Sequence, residues 1–556
     1  MAARMSGQPV YILAEGAQRI LGKDARRMNI MAAKVIAEAV KSTLGPKGMD
    51  KMLVDSTGDV IITNDGAAIL KEVEIKHPAA KMMVEVAKTQ EKEAGDGTTT
   101  AVIFAGELLK RAEELLDQDV HATVIAKGYR MAGEEAIKVL KEMSKEIKPT
   151  DEDTLRKVAL TSLFSKAPGV TAKDHLANLA MQAVKLVIEK RNDRLKIDKE
   201  DIKIQKHAGK ATRDSEIVYG IVLDKERAHP NMPKLVENAK IALLDTELKI
   251  KKTETDAKLR VTTPEQLRSF LDEEEETLKN MVKDIAASGA NCVFCQKDID
   301  DLAQYFLAKE NIFAVKSLSE GDLKLIAKAT GGSIVTSLKD IIQKDLGKAA
   351  RVEEKKISGK EFIFIEGCQK PKAVTLFIRG STEHIVDEIE RSMDDAISVV
   401  RDVIEDGYVL PGGGAPEMEI AKKIREFSNK VSGREQLAIV EFANAIEVVS
   451  KTLAENAGLD PINTLIELRA EHEKGRMNSG IELSTGKSQD MYRLGVIEPL
   501  RVKQQVVKSA TEVANMILRI DDVIAAKGGL GGKEEEEMPK MPPGGMGGMG
   551  GMPPMY

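Results

Sequence analysis

What most constrains the fold of this chain is the order of its periodicities, helical at both ends and strand-like in the middle. From Ile20 to about Leu44 the apolar positions Met28, Met31, Val35, Ile36 and Val40 recur at helical spacing. The pattern resumes near Pro78 and holds, through one glycine-rich loop, as far as Met143. It returns after Arg379-Gly380, where Ile385, Ile389, Met393, Ile397 and Val400 form one stripe, and continues with interruptions to a last long helix after Pro499. Between these ends, Ile202 with Ile204, Ile217 to Val222, Ile241 to Leu244, Cys292 to Phe294, Ile312 to Val315, Ser333 to Val335, Phe362 to Ile365 and Val374 to Ile378 are short β-prone runs set among helices. A chain of 556 residues is too long for one core. Helical ends around an α/β centre predict nesting, with both ends in one domain and the rest inserted into it.

Nesting would bring two glycine-rich loops together. Gly95-Asp96-Gly97-Thr98-Thr99-Thr100 runs into a helical apolar pattern, as a loop opening onto a helix N-terminus should, and Val409-Leu410-Pro411-Gly412-Gly413-Gly414 does the same. Phosphate suits such a loop, and Asp96 beside phosphate calls for a cation between them, for which Mg²⁺ is the usual candidate. The plainer reading of Asp96 is a helix cap. Leu44-Gly45-Pro46-Lys47-Gly48 ends the first helix, and Thr63-Asn64-Asp65-Gly66 places a second acid on a turn. Asp394 and Asp395 flank the stripe that begins at Ile385. One acid for a metal and another to orient water suffice to hydrolyse a nucleoside triphosphate. A Walker A loop fits poorly, because the nearest match, Gly480 through Gly486-Lys487-Ser488, misses by one residue of spacing.

Lys plus Arg number 83 against 89 for Asp plus Glu, and a net charge of −6 argues against nucleic acid as the main partner. The N-terminus lacks a signal-peptide pattern and no segment approaches ~20 apolar residues, so a soluble, cytoplasmic protein without membrane contact is expected. Cys292 and Cys295 lie in a predicted strand, where positions three apart face opposite ways, which argues against a metal or redox CxxC. Lys166 sits in a polar interruption between two amphipathic helices, where a solvated lysine is the ordinary expectation. Thr263-Pro264-Glu265-Gln266 supplies a capping box and predicts a helix start. The five acids Asp272 to Glu276 must meet water, so an extended projection over 246–285 is expected rather than a packed element. Residues 533–556, an acid run and a Gly-Gly-Met tail, are predicted to be disordered.

Taken together, LGPKGMDKMLVD at 44–55, TNDGA at 63–67, GDGTTT at 95–100, DDA at 394–396, PGGGAPE at 411–417 and the Gly-Gly-Met tail resemble the group II chaperonins, and most closely their archaeal, thermosome-type branch. The resemblance runs from about residue 9 to the C-terminus in order and spacing. It implies a multidomain fold: an all-α equatorial domain from both chain ends (1–147 and 407–532), a small α/β intermediate domain (148–217 and 373–406), and an α/β apical domain (218–372) whose lid-like helical protrusion is 246–285. It also implies an ATP-dependent chaperone that encloses non-native polypeptides in stacked double rings of identical or paralogous subunits, with a built-in lid closed by ATP hydrolysis. Its cofactors would be ATP and Mg²⁺. Carried onto this chain, Leu44, Gly45 and Pro46 would line the nucleotide; Asp96 would hold Mg²⁺, and Gly97, Thr98, Thr99 and Thr100 the phosphates. Asp65 and Asp395 would position the attacking water. Gly413, Gly414, Gly480 and Glu498 would surround base and ribose, and Lys166 would reach the γ-phosphate. The rival of a different class is a filament-forming ATPase with no folding role.

Overall fold

In the computed structural model the two ends of the chain are tied by a sheet. Gln18–Leu21 runs antiparallel to Asp522–Ala525 with Ile20 opposite Val523, and Arg19 pairs with Asp522 at 2.6 Å. The structure describes residues 2–5, 8–11, 18–54, 57–166, 172–192, 194–250, 263–368 and 371–525. The Gly-Gly-Met tail therefore lies outside the described residues, as do residues 251–262 of the 246–285 segment.

One apolar core gathers the helices Gly22–Lys41, Pro78–Ala94, Thr98–Asp117 and Ala122–Met143 with Ala415–Ser428, Glu435–Ile446 and Leu500–Leu518 from the far end of the sequence. Thr98–Asp117 is its axis: every residue from Thr98 to Gly106 is buried, so the first half of this helix is enclosed on all sides, while beyond it Lys110, Glu114 and Asp117 are exposed. Phe104 and Tyr129 meet Phe442 edge-on, with ring centroids 5.3 and 5.9 Å apart, and stitch the two chain ends together. The first helix differs from expectation in phase. Met28, Met31 and Val35 are exposed, and the buried face is Ala25, Asn29, Ile30, Ala33, Ile36, Ala37 and Val40. Close helix packing selects small residues, so the alanines face the core and the long methionines do not.

A second core joins helices Glu152–Lys166, Lys173–Leu186 and Glu383–Asp406 to a three-stranded sheet. In that sheet Val374–Gly380 lies between Ile202–Ala208, parallel to it, and Glu216–Val218, antiparallel. Ala94, Val409, Ile497 and Val502 belong to the same core, which therefore reaches into the helical body.

The strands between residues 220 and 366 form a seven-stranded sheet: Gly220–Leu223, Lys360–Glu366, Gly347–Ile357, Leu235–Leu244, Cys292–Cys295 and Phe313–Val315 in order, with Ile334–Val335 also paired to Leu235–Leu244. The run Ile217 to Val222 is thus two strands in two different sheets. Gly347–Ile357, the longest strand, carries no β-prone run. Charge pairs add to its few apolar ones, since Val352 pairs with Val236 and Ile365 while Arg351 sits opposite Glu366 and bonds it at 2.5 Å, and Lys356 sits opposite Glu361 at 2.8 Å. Cys292 and Cys295 do face opposite sides of the sheet, each in a different core. Burial pushes the Cys292 thiol far up and that of Cys295 to about 11, so neither ionises readily.

The predicted helix starts where the capping residues place it. It spans Pro264–Ala287, and the Thr263 hydroxyl accepts from the Gln266 N–H. It is not all projection, because Leu278, Val282 and Ile285 are buried in the sheet's core while Phe270 and Leu271 are exposed. The poor Walker A match at Gly480 to Ser488 lies in a hairpin of Ser479–Glu482 against Lys487–Asp490. Among the described residues no helix is long and apolar enough to cross a membrane.

Candidate nucleotide site

A cavity of about 480 Å³ opens where the helical body meets the second core, a size suited to a small organic ligand. Its floor is the loop between Pro78–Ala94 and Thr98–Asp117. Gly95 ends the first helix and Gly97 starts the second, both in the left-handed region at φ 67° and 80°, where a side chain would be strained. With Gly97 as the cap, the cap residue itself brings no side chain to the helix N-terminus, and Thr98, Thr99 and Thr100 line the cavity. Asp96, between the glycines, accepts from the Gly97 N–H at 2.6 Å. Gln90 fixes the loop from behind by donating to the Asp96 carbonyl at 2.7 Å.

The opposite wall repeats the device. Gly414 (φ 82°) starts Ala415–Ser428, again with no side-chain cap. Both uncapped N-termini thus border one cavity, and each presents partly positive backbone N–H groups. Gly480 lies outside the lining but against this loop. A Cβ there would come within 2.8 Å of the Gly413 carbonyl and 2.9 Å of that of Gly412, and Ile481 N–H donates to Gly413 O at 2.9 Å. Glu498 enters from the strand Ile497–Pro499, which pairs with Tyr408–Pro411. Leu44, Gly45 and Pro46 line a third side, held by Asn456, whose amide donates to the Lys41 and Leu44 carbonyls at 3.1 and 2.9 Å.

The two other acids stand at the edge. Asp65 both caps Gly66–Glu72, through Ala68 N–H at 2.9 Å, and accepts from the Thr98 hydroxyl at 3.3 Å. The same carboxylate thus caps one helix and is bonded to the first residue of another. Asp395 is buried on Glu383–Asp406, one turn before Val399, which lines the cavity. Its neighbour Asp394 turns outward to an ion pair with Lys199 and is half-exposed, so of the two only Asp395 faces inward. Lys166 is the last residue of Glu152–Lys166, a helix that contributes Leu160, Thr161, Ser162 and Phe164 to the lining, but its side chain lies outside the described residues.

Several residues of the site escaped sequence reasoning. Lys503 and Glu417 are buried beneath Glu498, with Lys503 donating to Glu417 at 2.7 Å and to Glu498 at 2.9 Å. Glu417 was visible as the end of the PGGGAPE stretch, whereas Lys503 reads in sequence as one more lysine on an amphipathic helix. Burial raises the Glu498 carboxyl above its ordinary value and Lys503 opposes that rise.

The model of the TCP-1/cpn60 chaperonin family matches residues 36–528. The chain is similar to a thermosome subunit of Pyrococcus horikoshii, 56% identical over 541 residues that cover 96% of this chain and 98% of the relative. It is also similar to the thermosome subunit alpha of Archaeoglobus fulgidus, 58% identical over 526 residues that cover 95% and 96%. Among solved structures it resembles the open state monomer of a group II chaperonin from Methanococcoides burtonii, with TM-score 0.58 and 44% identity, covering 77% of this chain and 100% of the other.

Proposed function

The chain belongs to the TCP-1/cpn60 chaperonin family, and from there we propose how its residues divide the work of an ATP-dependent, group II chaperone of the thermosome type. The protein is an ATPase whose hydrolysis is coupled to protein folding in double-ring assemblies. We assign the helical body built from both chain ends to the equatorial domain, the second core to the intermediate domain and the seven-stranded sheet to the apical domain, with boundaries as the family resemblance implies. The cytoplasm is the expected compartment.

ATP is placed with its phosphates at the Gly97 N-terminus, its nucleoside between Gly413, Gly414, Gly480 and Glu498, and its remaining flank on Leu44, Gly45 and Pro46. The observation that carries this is the pair of uncapped, glycine-started helices bordering one cavity beside Asp96. The residues fit Mg²⁺: the Asp96 carboxylate lines the cavity beside the Gly97 helix start, and Mg²⁺ asks for only one or two carboxylates because it keeps water and phosphate oxygens as ligands. Asp96 supplies that carboxylate, and the bound ion would neutralise charge on the phosphates. Asp65 and Asp395 orient a water for in-line attack on the γ-phosphorus; the new P–O bond forms as the bond to the β-bridging oxygen breaks, leaving ADP and phosphate. Lys166 is assigned to the γ-phosphate as it arrives with the intermediate domain.

Refolding of a denatured client, followed with and without ATP on the purified protein, tests the reading, alongside electron micrographs. ATP-driven recovery by end-on rings stacked in pairs is expected. Hydrolysis without any gain in recovery, by filaments, would favour the assembly ATPase instead.

A further inference from the structure

Lys503 is a buried lysine with two carboxylate partners from two different elements. It lies in the first turns of Leu500–Leu518, and its side chain is 9% exposed. Glu417 stands on the first turn of Ala415–Ser428, directly after the Gly413-Gly414 loop, and Glu498 on the strand Ile497–Pro499. These two elements form the nucleoside wall of the cavity, and Lys503, on the helix that follows the strand, ties them through its side chain. The other Glu498 oxygen lies against the backbone of Gly412, within 2.8 Å of where a Cβ would stand. Strand pairing therefore sets the Glu498 backbone, and Lys503 sets its carboxylate. Without the ammonium, Glu417 and Glu498 would be two like charges in a water-poor wall with Asp96 nearby, and one of them would have to turn away or take up a proton.

We propose that Lys503 is a positioning residue for nucleotide selection: by bonding Glu417 and Glu498 together it aims the Glu498 carboxylate at a ribose hydroxyl and so makes the site favour ribonucleotides over their deoxy counterparts. This rests on the reading of Glu498 as a nucleoside contact. A site that hydrogen-bonds a hydroxyl rejects the analogue lacking it, because the buried acceptor is then left unpaired.

The test measures KM and kcat of the full-length assembled protein for ATP, 2′-deoxy-ATP and 3′-deoxy-ATP. At least one deoxy nucleotide should show a KM about tenfold or more above that of ATP in the natural protein. Glu498→Ala and Lys503→Met should each erase most of that ratio, with KM for ATP rising more than kcat falls, whereas Lys503→Arg should preserve the ratio. If Lys503→Met does not assemble, Lys503→Met/Glu417→Leu removes both buried charges and should show the same loss of discrimination. Discrimination lost in Glu498→Ala but intact in the Lys503 variants overturns the role of Lys503 and leaves the Glu498 contact standing. Discrimination absent from the natural protein, or intact in Glu498→Ala, overturns the Glu498 contact and this inference with it.

Discussion

The hydroxyl of Thr98 donates to one oxygen of Asp65 at 3.3 Å, while the other oxygen of the same carboxylate caps the helix Gly66–Glu72. One side chain thus fixes a helix start and stands at the phosphate loop. Asparagine caps helices about as well as aspartate, so Asp65→Asn should keep the fold, with a Tm close to that of the natural protein, while hydrolysis slows about 10²-fold or more through loss of the water-orienting charge. Thermal unfolding and single-turnover hydrolysis separate the two roles. A lowered Tm with unchanged turnover would leave Asp65 a cap and nothing more.

Asp395 and Asp96 should fail differently. Asp96 belongs to the loop between two helices of one rigid body, so Asp96→Ala should weaken Mg²⁺-nucleotide binding itself. Asp395 comes from the helix of the second core, which we assign to the intermediate domain, and a group brought in by domain closure would affect the transition state more than the ground state. Asp395→Ala is expected to bind ATP nearly normally and to hydrolyse it about 10²- to 10⁴-fold more slowly. Equilibrium binding and single-turnover rates on both variants decide this; normal turnover in Asp395→Ala would return the residue to a packing role.

Gly480→Ala should reduce nucleotide affinity with little change in global stability. The added methyl group meets two carbonyl oxygens and Met491 within 3 Å, and none of these is a flexible chain end except the methionine. The Ser479–Glu482 strand must move off the Gly412–Gly414 loop, which opens the nucleoside wall. Calorimetric titration with ATP or ADP reads the effect, and unchanged affinity would show that the loop does not contact the nucleotide.

The helix Pro264–Ala287 divides into an exposed and a packed part, and substitutions should divide with it. Leu278→Ala empties a fully buried position and should cost about 2 to 5 kcal/mol, seen as a loss of apical stability in denaturant. Phe270→Asp with Leu271→Asp changes exposed side chains, so stability should hold to within about 0.5 kcal/mol. If this end acts as a lid, the same double variant should lose protection of an enclosed client from protease under ATP. Full protection would detach the exposed half from enclosure.

Asp402 lies fully buried between Arg401 and Arg501 near the C-terminal end of Glu383–Asp406. Burial outweighs the two guanidinium groups and pushes its carboxyl up to about 6 from an ordinary 3.8. The native state therefore holds a proton that the unfolded chain has released, so this contribution to stability falls as pH rises from about 4 to about 6 and is level above. The full swing is at most roughly 3 kcal/mol. Asp402→Asn does not titrate, so its Tm relative to the natural protein should climb across that window and then level off. A difference that stays flat from pH 4 to 8 would remove Asp402 from the pH response.

Local signals determined much of this protein from its sequence. The capped start at Thr263-Pro264, the glycine-bracketed Asp96 and the second glycine loop before Ala415 depend on backbone stereochemistry within a few residues, and they stand in the structure where the sequence places them. The nesting of helical ends around an α/β centre follows from periodicity, which is equally local. Tertiary structure alone decided which face of Gly22–Lys41 is buried, because both its alanines and its methionines recur at helical spacing and only close packing against Thr98–Asp117 chooses between them. It alone made a strand of Gly347–Ile357, whose partners across the sheet supply the opposite charges. It also separated Asp394 from Asp395, adjacent in sequence, by giving one a lysine at the surface and turning the other inward. Lys503 shows the reason most plainly: a lysine is solvated unless carboxylates reach it, and those of Glu417 and Glu498 come from different elements of the fold.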